Sequence, residues 1–346
     1  MLSHREKSIS DVDELELLLS KPYESTVRAL ALLPGDILVL GAGGKMGPTL
    51  ARMAKSASDL AATPRRVIAV SRFSSSRLPA RLQSWGIKTI SCDLLDPASL
   101  AILPDAPNVI YMAGMKFGST GNESLTWAVN SFLPGLVSDR FRHSRIVVFS
   151  TGNIYGLTPV SRGGSLESDA PNPIGEYAMS CLGRERMFEH FSHTANTKVS
   201  ILRLNYATEL RYGVLVDVAR SVYSGKPVAS SMGYLNAIWQ GDASAVALAS
   251  LPHASSPAFV LNITGPEVLS VRRIAEDFAE RFGKPVQFHG EEANDALLSN
   301  AQKAFQLFGK PRVSYEQMTS WIADWIERGG ETLEKPTHFE ERGGRF

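Results

Sequence analysis

The chain has 346 residues, enough to bury a sizeable core as one large or two medium domains. Its 36 basic and 35 acidic side chains nearly cancel, so net charge gives no support for a nucleic-acid or acidic-substrate partner. With only two cysteines, Cys92 and Cys181, a disulfide framework is excluded as the basis of the fold.

Residues 1 to 20 carry His4, Arg5, Glu6, Lys7, Asp11, Asp13, Glu14 and Glu16, with no apolar leader among them. No apolar run approaches the roughly 18 residues that span a bilayer. Together these features predict a soluble, cytoplasmic chain without a membrane partner. Ser10, Asp11 and Asp13 read as a helix start, followed by Leu15, Leu17, Leu18 and Leu19 and broken by Pro22. Val27 to Leu33 reads as a second short helix, ended by Pro34-Gly35. Residues 1–35 are therefore an N-terminal helical extension, packed on the domain or on a second subunit.

The apolar run Ile37–Leu40 is short enough for a buried strand, and a helical pattern with Met46, Leu50 and Met53 on one face follows it. Between them Gly41, Gly44 and Gly47 are spaced three apart. In a dinucleotide-binding turn the first glycine permits the tight turn, the second lets backbone approach a pyrophosphate, and the third lets the helix pack on the sheet. The helix N-terminus offers free N–H groups to the phosphates. The candidate cofactor-binding residues here are Gly41, Gly43, Gly44, Lys45, Met46 and Gly47.

Arg66 to Phe73 reads as the second strand. A carboxylate at its end would suit a ribose diol; Ser71-Arg72 stands there instead, which favours a 2′-phosphate and hence NADP over NAD. Gly86 to Leu94 gives a third strand ending at Asp93, Asn108 to Gly114 a fourth, and Arg145 to Ser150 a fifth, with a helix around Glu123–Val137 that carries Asn130. Strands alternating with helices over about 120 residues predict a Rossmann-type, doubly wound parallel α/β sheet. Ligands bind such sheets at the carboxyl ends of the strands, which points to Gly41, Ser71, Asp93, Ala113 and Thr151. A Pro-, Gly- and Ser-rich loop over 157–174, a helix over 175–191 and a strand over 199–204 come next. Residues 206–265 are more irregular and read as a substrate-capping region. Helices are predicted over 269–282 and 321–326, and a polar, loose tail from about 329.

Several of these residues line up with one family. Gly41-x-x-Gly44-x-x-Gly47, Asp93-Leu94, Tyr111-Met-Ala-Gly114, Ser150-Thr-Gly-Asn-Ile-Tyr-Gly156, Tyr177-Ala-Met-Ser-Cys181, Leu202-Arg-Leu-Asn205, Trp239-Gln-Gly-Asp242 and Asn262-Ile-Thr-Gly-Pro-Glu-Val-Leu-Ser270 occur in its order and spacing. Over residues 36 to 325 the chain resembles the extended short-chain dehydrogenase/reductase family, in particular its NAD(P)-dependent epimerase/dehydratase group. The resemblance implies cofactor contacts at Asp93, Leu94, Ala113, Gly114, Asn130 and Tyr177. It places the catalytic hydroxyl on Thr151 and the catalytic phenol on Tyr177. It also implies a hydride-transfer enzyme acting on a hydroxyl or keto carbon of a sugar, nucleotide sugar or related polar substrate, using NAD or NADP, with a homodimer as a family-level expectation.

One position breaks the pattern. Where the family has Tyr-x-x-x-Lys, this chain has Tyr177 and Cys181, four apart and on one helical face. Tyrosine has an ordinary pKa of about 10 and needs a nearby cation to act as a base near neutrality. Cysteine supplies none, and a thiolate would push the phenol the wrong way. Three readings stay open: Arg184, on roughly the same face, replaces the lysine; Tyr177 only donates a hydrogen bond and Thr151 or a residue of the smaller lobe carries the proton; or the chain is a dinucleotide-binding sensor or scaffold without turnover. Against the first stands the simpler expectation that Arg184 makes a surface ion pair with Glu185 or Glu189.

His190 and His193 beside Glu189 have a metal-compatible spacing, but a solvated helix end is the better reading and no metal is expected. Tyr212, Tyr234 and Trp239 are candidate sugar-stacking rings with core packing as the equal alternative. Arg211 and Arg220 are the cations of the second lobe. The domain plan is thus 1–35 extension, 36–205 cofactor-binding domain, 206–330 mainly substrate lobe with part returning to the first domain, and 331–346 tail.

Overall fold

The computed structural model describes residues 8–346, and its sheet is built from seven strands, all but the edge strand Lys88–Ser91 rich in buried apolar residues. They are β1 Ile37–Leu40, β2 Val67–Ser71, β3 Lys88–Ser91, β4 Asn108–Tyr111, β5 Arg145–Thr151, β6 Lys198–Leu204 and β7 Phe259–Ile263. All neighbours are parallel, in the order β7-β6-β5-β4-β1-β2-β3. A parallel sheet is covered on both faces, which is why β1 and β4 are buried throughout and carry no polar alternation. Ile37 and Val39 pack among Met53, Ala54 and Val147 on one face; Leu38 and Leu40 pack among Tyr111, Val148 and Phe188 on the other. Strand order reverses beside β1, where Ile37 pairs with Val67 on one side and Asn108 on the other. The glycine turn leaves the sheet at that reversal, the usual ligand position in such a fold.

The helices are α1 Val12–Leu19, α2 Glu24–Ala31, α3 Gly47–Leu60, α4 Arg77–Ser84, α5 Pro97–Ala101, α6 Glu123–Trp127, α7 Leu133–Arg140, α8 Gly175–Ala195, α9 Val214–Tyr223, α10 Gln240–Ala249, α11 Val271–Phe282, α12 Gln302–Phe308 and α13 Tyr315–Glu327. A π-helical turn, Ala128–Phe132, joins α6 to α7. The smaller lobe is a second core around α9, α11 and α13, with Trp239 and Trp321 edge to face at 5.4 Å. Beyond the first residues of the smaller lobe, α10 packs in the core beside β1 and β7 pairs with β6 at the edge of the sheet.

The N-terminal pair packs on its own chain. Leu15 and Leu19 enter the core of the smaller lobe, whereas Leu30 and Leu33 enter the core beside β1. Asp11 caps α1 by accepting from Glu14 N at 2.8 Å. Glu16 pairs with Arg81 at 2.8 Å and with Arg211 at 3.2 Å, and the Tyr23 hydroxyl donates to Asp242 at 2.6 Å. The extension thus clasps the two lobes together. Its first seven residues, including His4, Arg5, Glu6 and Lys7, lie outside the described residues.

Candidate active site

Two of the strand ends nominated by sequence, those at Ser71 and Ala113, meet the glycine turn. Gly41 has φ +84°, and a Cβ there would stand 2.6 Å from Ala113 N, so the turn lies flat on the end of β4. On its other side Gly43 leaves no room for a side chain against the Ser71 hydroxyl at the end of β2. Helix α3 starts without a side-chain cap; Gly47 N donates to Gly44 O at 3.2 Å and Pro48 has no N–H, so Thr49 N is the first-turn donor left for an outside acceptor. Met46 is its N-cap and packs partly into the core. The side chain of Lys45 turns toward the smaller lobe: its ammonium donates to Ala207 O at 3.1 Å and lies 4.0 Å from the centre of the Tyr212 ring. Arg72 is exposed at the end of β2. Exposed Asp93 accepts from Leu95 N at 3.1 Å and so fixes its own turn, while Leu94 is buried beneath it.

Thr151 closes β5, and its hydroxyl caps the following turn by accepting from Asn153 N at 3.2 Å. Tyr177 sits in the first turn of α8, with the Thr151 hydroxyl and the Cys181 thiol beside its own hydroxyl. Burial pushes the Tyr177 phenol well above its ordinary value; Cys181 adds to the rise and Arg184 opposes it. Burial likewise pushes the Cys181 thiol up, so it is a neutral filler packed among Ile154, Tyr155 and Leu182 rather than a thiolate.

Arg184 overturns the surface-pair expectation. It is only 6 % exposed, Glu189 pairs instead with Arg186 at 2.5 Å, and Glu185 pairs with Arg203 at 2.8 Å. The guanidinium lies 6.0 Å from the centre of the Tyr111 ring, and its charge favours the ionised form of Tyr177. Its Nη1 donates to Phe149 O and its Nη2 to Asn130 Oδ1, both at 2.7 Å. Burial pulls its pKa down, but the surrounding thiol, phenols and Glu185 more than reverse this, so the net shift is upward. Asn130 lies in the π turn, whose extra residue brings it into the site. Its amide is fully used: Oδ1 also accepts from Met115 N at 2.9 Å, and Nδ2 donates to Met115 O at 2.8 Å and Ser180 Oγ at 3.0 Å. A Cβ at Gly114 would stand 2.6 Å from Arg184 Nη2, so glycine is what admits the guanidinium beneath the β4 loop. Gly114→Ala is expected to displace Arg184 and weaken cofactor binding, read by titration with NAD⁺.

Two groups of site residues escaped the sequence reading. The first is Lys116, whose ammonium lies 5.8, 5.5 and 4.3 Å from the ring centres of Tyr177, Phe117 and Phe346. Its place just beyond the β4 end was the only available signal. The second is a buried network behind Thr151. Glu185 accepts from Ser150 Oγ at 2.5 Å and from Arg203; Arg203 Nη1 donates to the Tyr155 hydroxyl at 2.7 Å, which donates to Asn262 Oδ1 at 2.8 Å. No local pattern links these residues.

Other candidates resolve as structure. Trp239 is buried in the core, and Tyr234 is half-buried and bonded to Glu292. Arg211 is held by Glu209 and Glu16, and Arg220 by Glu334. His190 packs against Phe191, and among the described residues no group of three or more His, Cys, Asp or Glu is placed to hold a metal. No helix among them is long and apolar enough to cross a membrane.

Burial pulls both Lys45 and Lys116 down to about 8 from 10.5. Each lysine therefore adds stability as pH rises above about 8, because the unfolded chain still holds that proton; Cys92 and Cys181, whose thiols burial pushes up, act in the opposite direction once the unfolded thiols ionise near about pH 8.5. Urea midpoints of the cofactor-free protein at pH 7.5 and 9.5 check this: the change from the lower to the higher pH is expected to be more favourable in the unaltered protein than in Lys45→Met with Lys116→Met, which keeps the thiols and loses the lysine contribution.

The family model described as "NAD dependent epimerase/dehydratase family" matches residues 37–229, more than half of the chain. The chain belongs to the NAD dependent epimerase/dehydratase family. The match begins at β1 and ends beyond α9, so it takes in the glycine turn, Tyr177 and Arg184. No curated protein matches the sequence. Solved structures share the family's fold at low identity. UDP-glucuronic acid 4-epimerase from Bacillus cereus, in complex with UDP-glucuronic acid and NAD, is 19 % identical with a TM-score of 0.70, covering 85 % of this chain and 99 % of that one. UDP-glucose 4-epimerase from Thermus thermophilus, in complex with NAD, is 19 % identical with a TM-score of 0.68, covering 84 % and 99 %. dTDP-glucose 4,6-dehydratase from Bacillus anthracis, in complex with NAD, is 15 % identical with a TM-score of 0.71, covering 85 % and 96 %.

Proposed function

We propose that the chain is an NAD(P)-dependent enzyme of the epimerase/dehydratase type that opens its reaction by oxidising a carbinol carbon of a sugar or nucleotide sugar. The observation that carries this reading is the buried Arg184 guanidinium, which brings a fixed positive charge to Tyr177 although position 181 is cysteine. The glycine turn, the uncapped start of α3 and the open edge at Ala113 and Gly114 suit a dinucleotide. Bound there, the nicotinamide would accept and return hydride at the substrate carbon.

The chain's own residues do the rest. Tyr177 takes the hydroxyl proton of the substrate and later returns it. Thr151, whose hydroxyl donates to Asn153 Oδ1 at 3.1 Å in the structure, turns that proton to the same substrate oxygen and holds it at the tyrosine. Arg184 lowers the cost of the phenolate, the task that a lysine at position 181 would otherwise perform. Asn130 holds the guanidinium through Oδ1. Epimerisation, elimination and net oxidation all share this first step. Ser71 and exposed Arg72 favour a 2′-phosphate, so NADP⁺ is expected to bind at least as tightly as NAD⁺. Arg72→Ala is expected to cost NADP⁺ about tenfold in affinity, as for loss of a charge-assisted hydrogen bond, and NAD⁺ little.

Titration with NAD⁺, NADH, NADP⁺ and NADPH, beside mass spectrometry of co-purified small molecules, tests the reading. A retained cofactor supports a self-regenerating epimerase or dehydratase cycle, and binding of none of the four refutes it. The competing reading, a dinucleotide-binding sensor, draws on the raised Tyr177 phenol. It predicts cofactor binding without turnover, and activity gained on Cys181→Lys.

A further inference from the structure

Sequence patterns leave residues 331–346 as a loose tail, yet in the structure they are pinned along their length. Trp325 Nε1 donates to Glu331 O at 2.9 Å, and Leu333 N to Arg211 O at 3.0 Å. Thr337 donates through N and Oγ1 to Asp217 at 2.7 and 2.6 Å, and Phe339 is buried in the core of the smaller lobe. Beyond Phe339 the chain crosses to the Tyr177 side. Arg342 pairs with Asp295 and donates to Asp295 O at 2.9 Å and Ser231 O at 3.2 Å. Gly344 then meets Gly175, at the start of α8, backbone to backbone. Both have positive φ, +76° and +79°, and a Cβ on Gly344 would overlap Ile174 O while one on Gly175 would stand 2.5 Å from Gly344 O. Glycine is needed on both sides of this crossing. The Phe346 main-chain oxygen accepts from Ser119 Oγ and Thr120 N, both at 3.0 Å. Its ring stands edge to face with Tyr177 at 5.4 Å and receives the Lys116 ammonium at 4.3 Å.

We propose that residues 342–346 are a strap that closes the substrate side of Tyr177 and swings out to admit substrate, with Phe346 the residue that decides what reaches the tyrosine. The proposal rests on Tyr177 as the proton-handling group. Thr151 and Cys181 lie at the Tyr177 hydroxyl, while Phe346 and Lys116 stand against its ring, so these two are the groups that a substrate whose oxygen reaches Thr151 and Tyr177 would meet. The hinge falls after buried Phe339: the segment beyond it has no regular structure, and its Arg342–Asp295 pair is partly exposed. A strap open one-tenth of the time would weaken apparent substrate affinity about tenfold.

Deletion of residues 342–346 and Gly344→Val test this, with Phe346→Ala as the milder variant that keeps the glycine crossing. Hydroxyl-radical footprinting read by mass spectrometry is expected to show Tyr177 oxidised several-fold faster in all three, while buried Tyr155 stays protected. Calorimetric titration of UDP-glucose into NAD⁺-saturated protein is expected to show binding tightened about tenfold by the deletion. An unchanged Tyr177 oxidation rate, or UDP-glucose binding that the deletion leaves equal or weaker, overturns the strap. If UDP-glucose binds neither protein while Tyr177 becomes exposed in the variants, the strap stands and the nucleotide-sugar reading of the site fails.

Discussion

Arg184→Met is expected to lower turnover about 100-fold or more, the scale measured when a fixed electrostatic group is removed from an active site. The guanidinium is buried, so its field on Tyr177 is poorly screened by solvent. Methionine keeps most of the volume and removes the charge. It also releases the Phe149 carbonyl and one of the two bonds to Asn130 Oδ1, which costs about 1–3 kcal/mol of stability. Stability loss alone would scale down the amount of active enzyme. Loss of the charge also moves the ascending limb of the pH–rate profile to higher pH, because the phenol must lose its proton without help. Arg184→Lys is expected to restore part of the rate and most of the profile. A rate loss with an unmoved profile would assign Arg184 to packing.

Arg203→Met is expected to have the largest effect on stability. It leaves the Glu185 carboxylate, which has no solvent exposure, with Ser150 Oγ as its remaining side-chain donor. Breaking such a buried pair from one side costs about 3–5 kcal/mol, a large share of the roughly 5–15 kcal/mol that holds a domain folded. Urea midpoints at constant slope measure the loss. Glu185→Gln with Arg203→Met is expected to recover part of it, since no uncompensated charge is then buried. The same network reaches the site: Ser150 precedes Thr151 in β5, and Glu185 follows Arg184 in α8. The single variant is therefore expected to lose catalytic rate in the fraction that stays folded, and stabilisation by cofactor would reveal that fraction.

Local periodicity made most of the cofactor-binding half legible. The run Ile37–Leu40, the glycine turn and the helix from Gly47 each carry their own signal, and repeated strand–helix alternation implies the sheet. The roles of Thr151 and Tyr177 came from the family resemblance of their motifs, which periodicity alone does not carry. What stayed hidden depends on contacts between distant segments. Arg184 reads as a surface residue because its neighbours on α8 are charged; only the space left by Gly114 and the acceptors at Asn130 and Phe149 make it an interior cation. Lys116 stands in a loop without a pattern, and its three aromatic neighbours come from its own loop, α8 and the far end of the chain. The tail looked loose because Gly344 has no meaning until Gly175 is placed against it.

The most direct test of the account is the titration of Tyr177 itself. Protein labelled with carbon-13 in the tyrosine rings, saturated with NAD⁺, can be followed by NMR against pH, with Tyr177→Phe assigning the signal. The account predicts that Tyr177 titrates at distinctly higher pH in Arg184→Met than in the unaltered protein, and that Arg184→Lys stays close to the latter. A Tyr177 titration unmoved by Arg184→Met would contradict it, because the buried guanidinium would then play no part in activating the tyrosine.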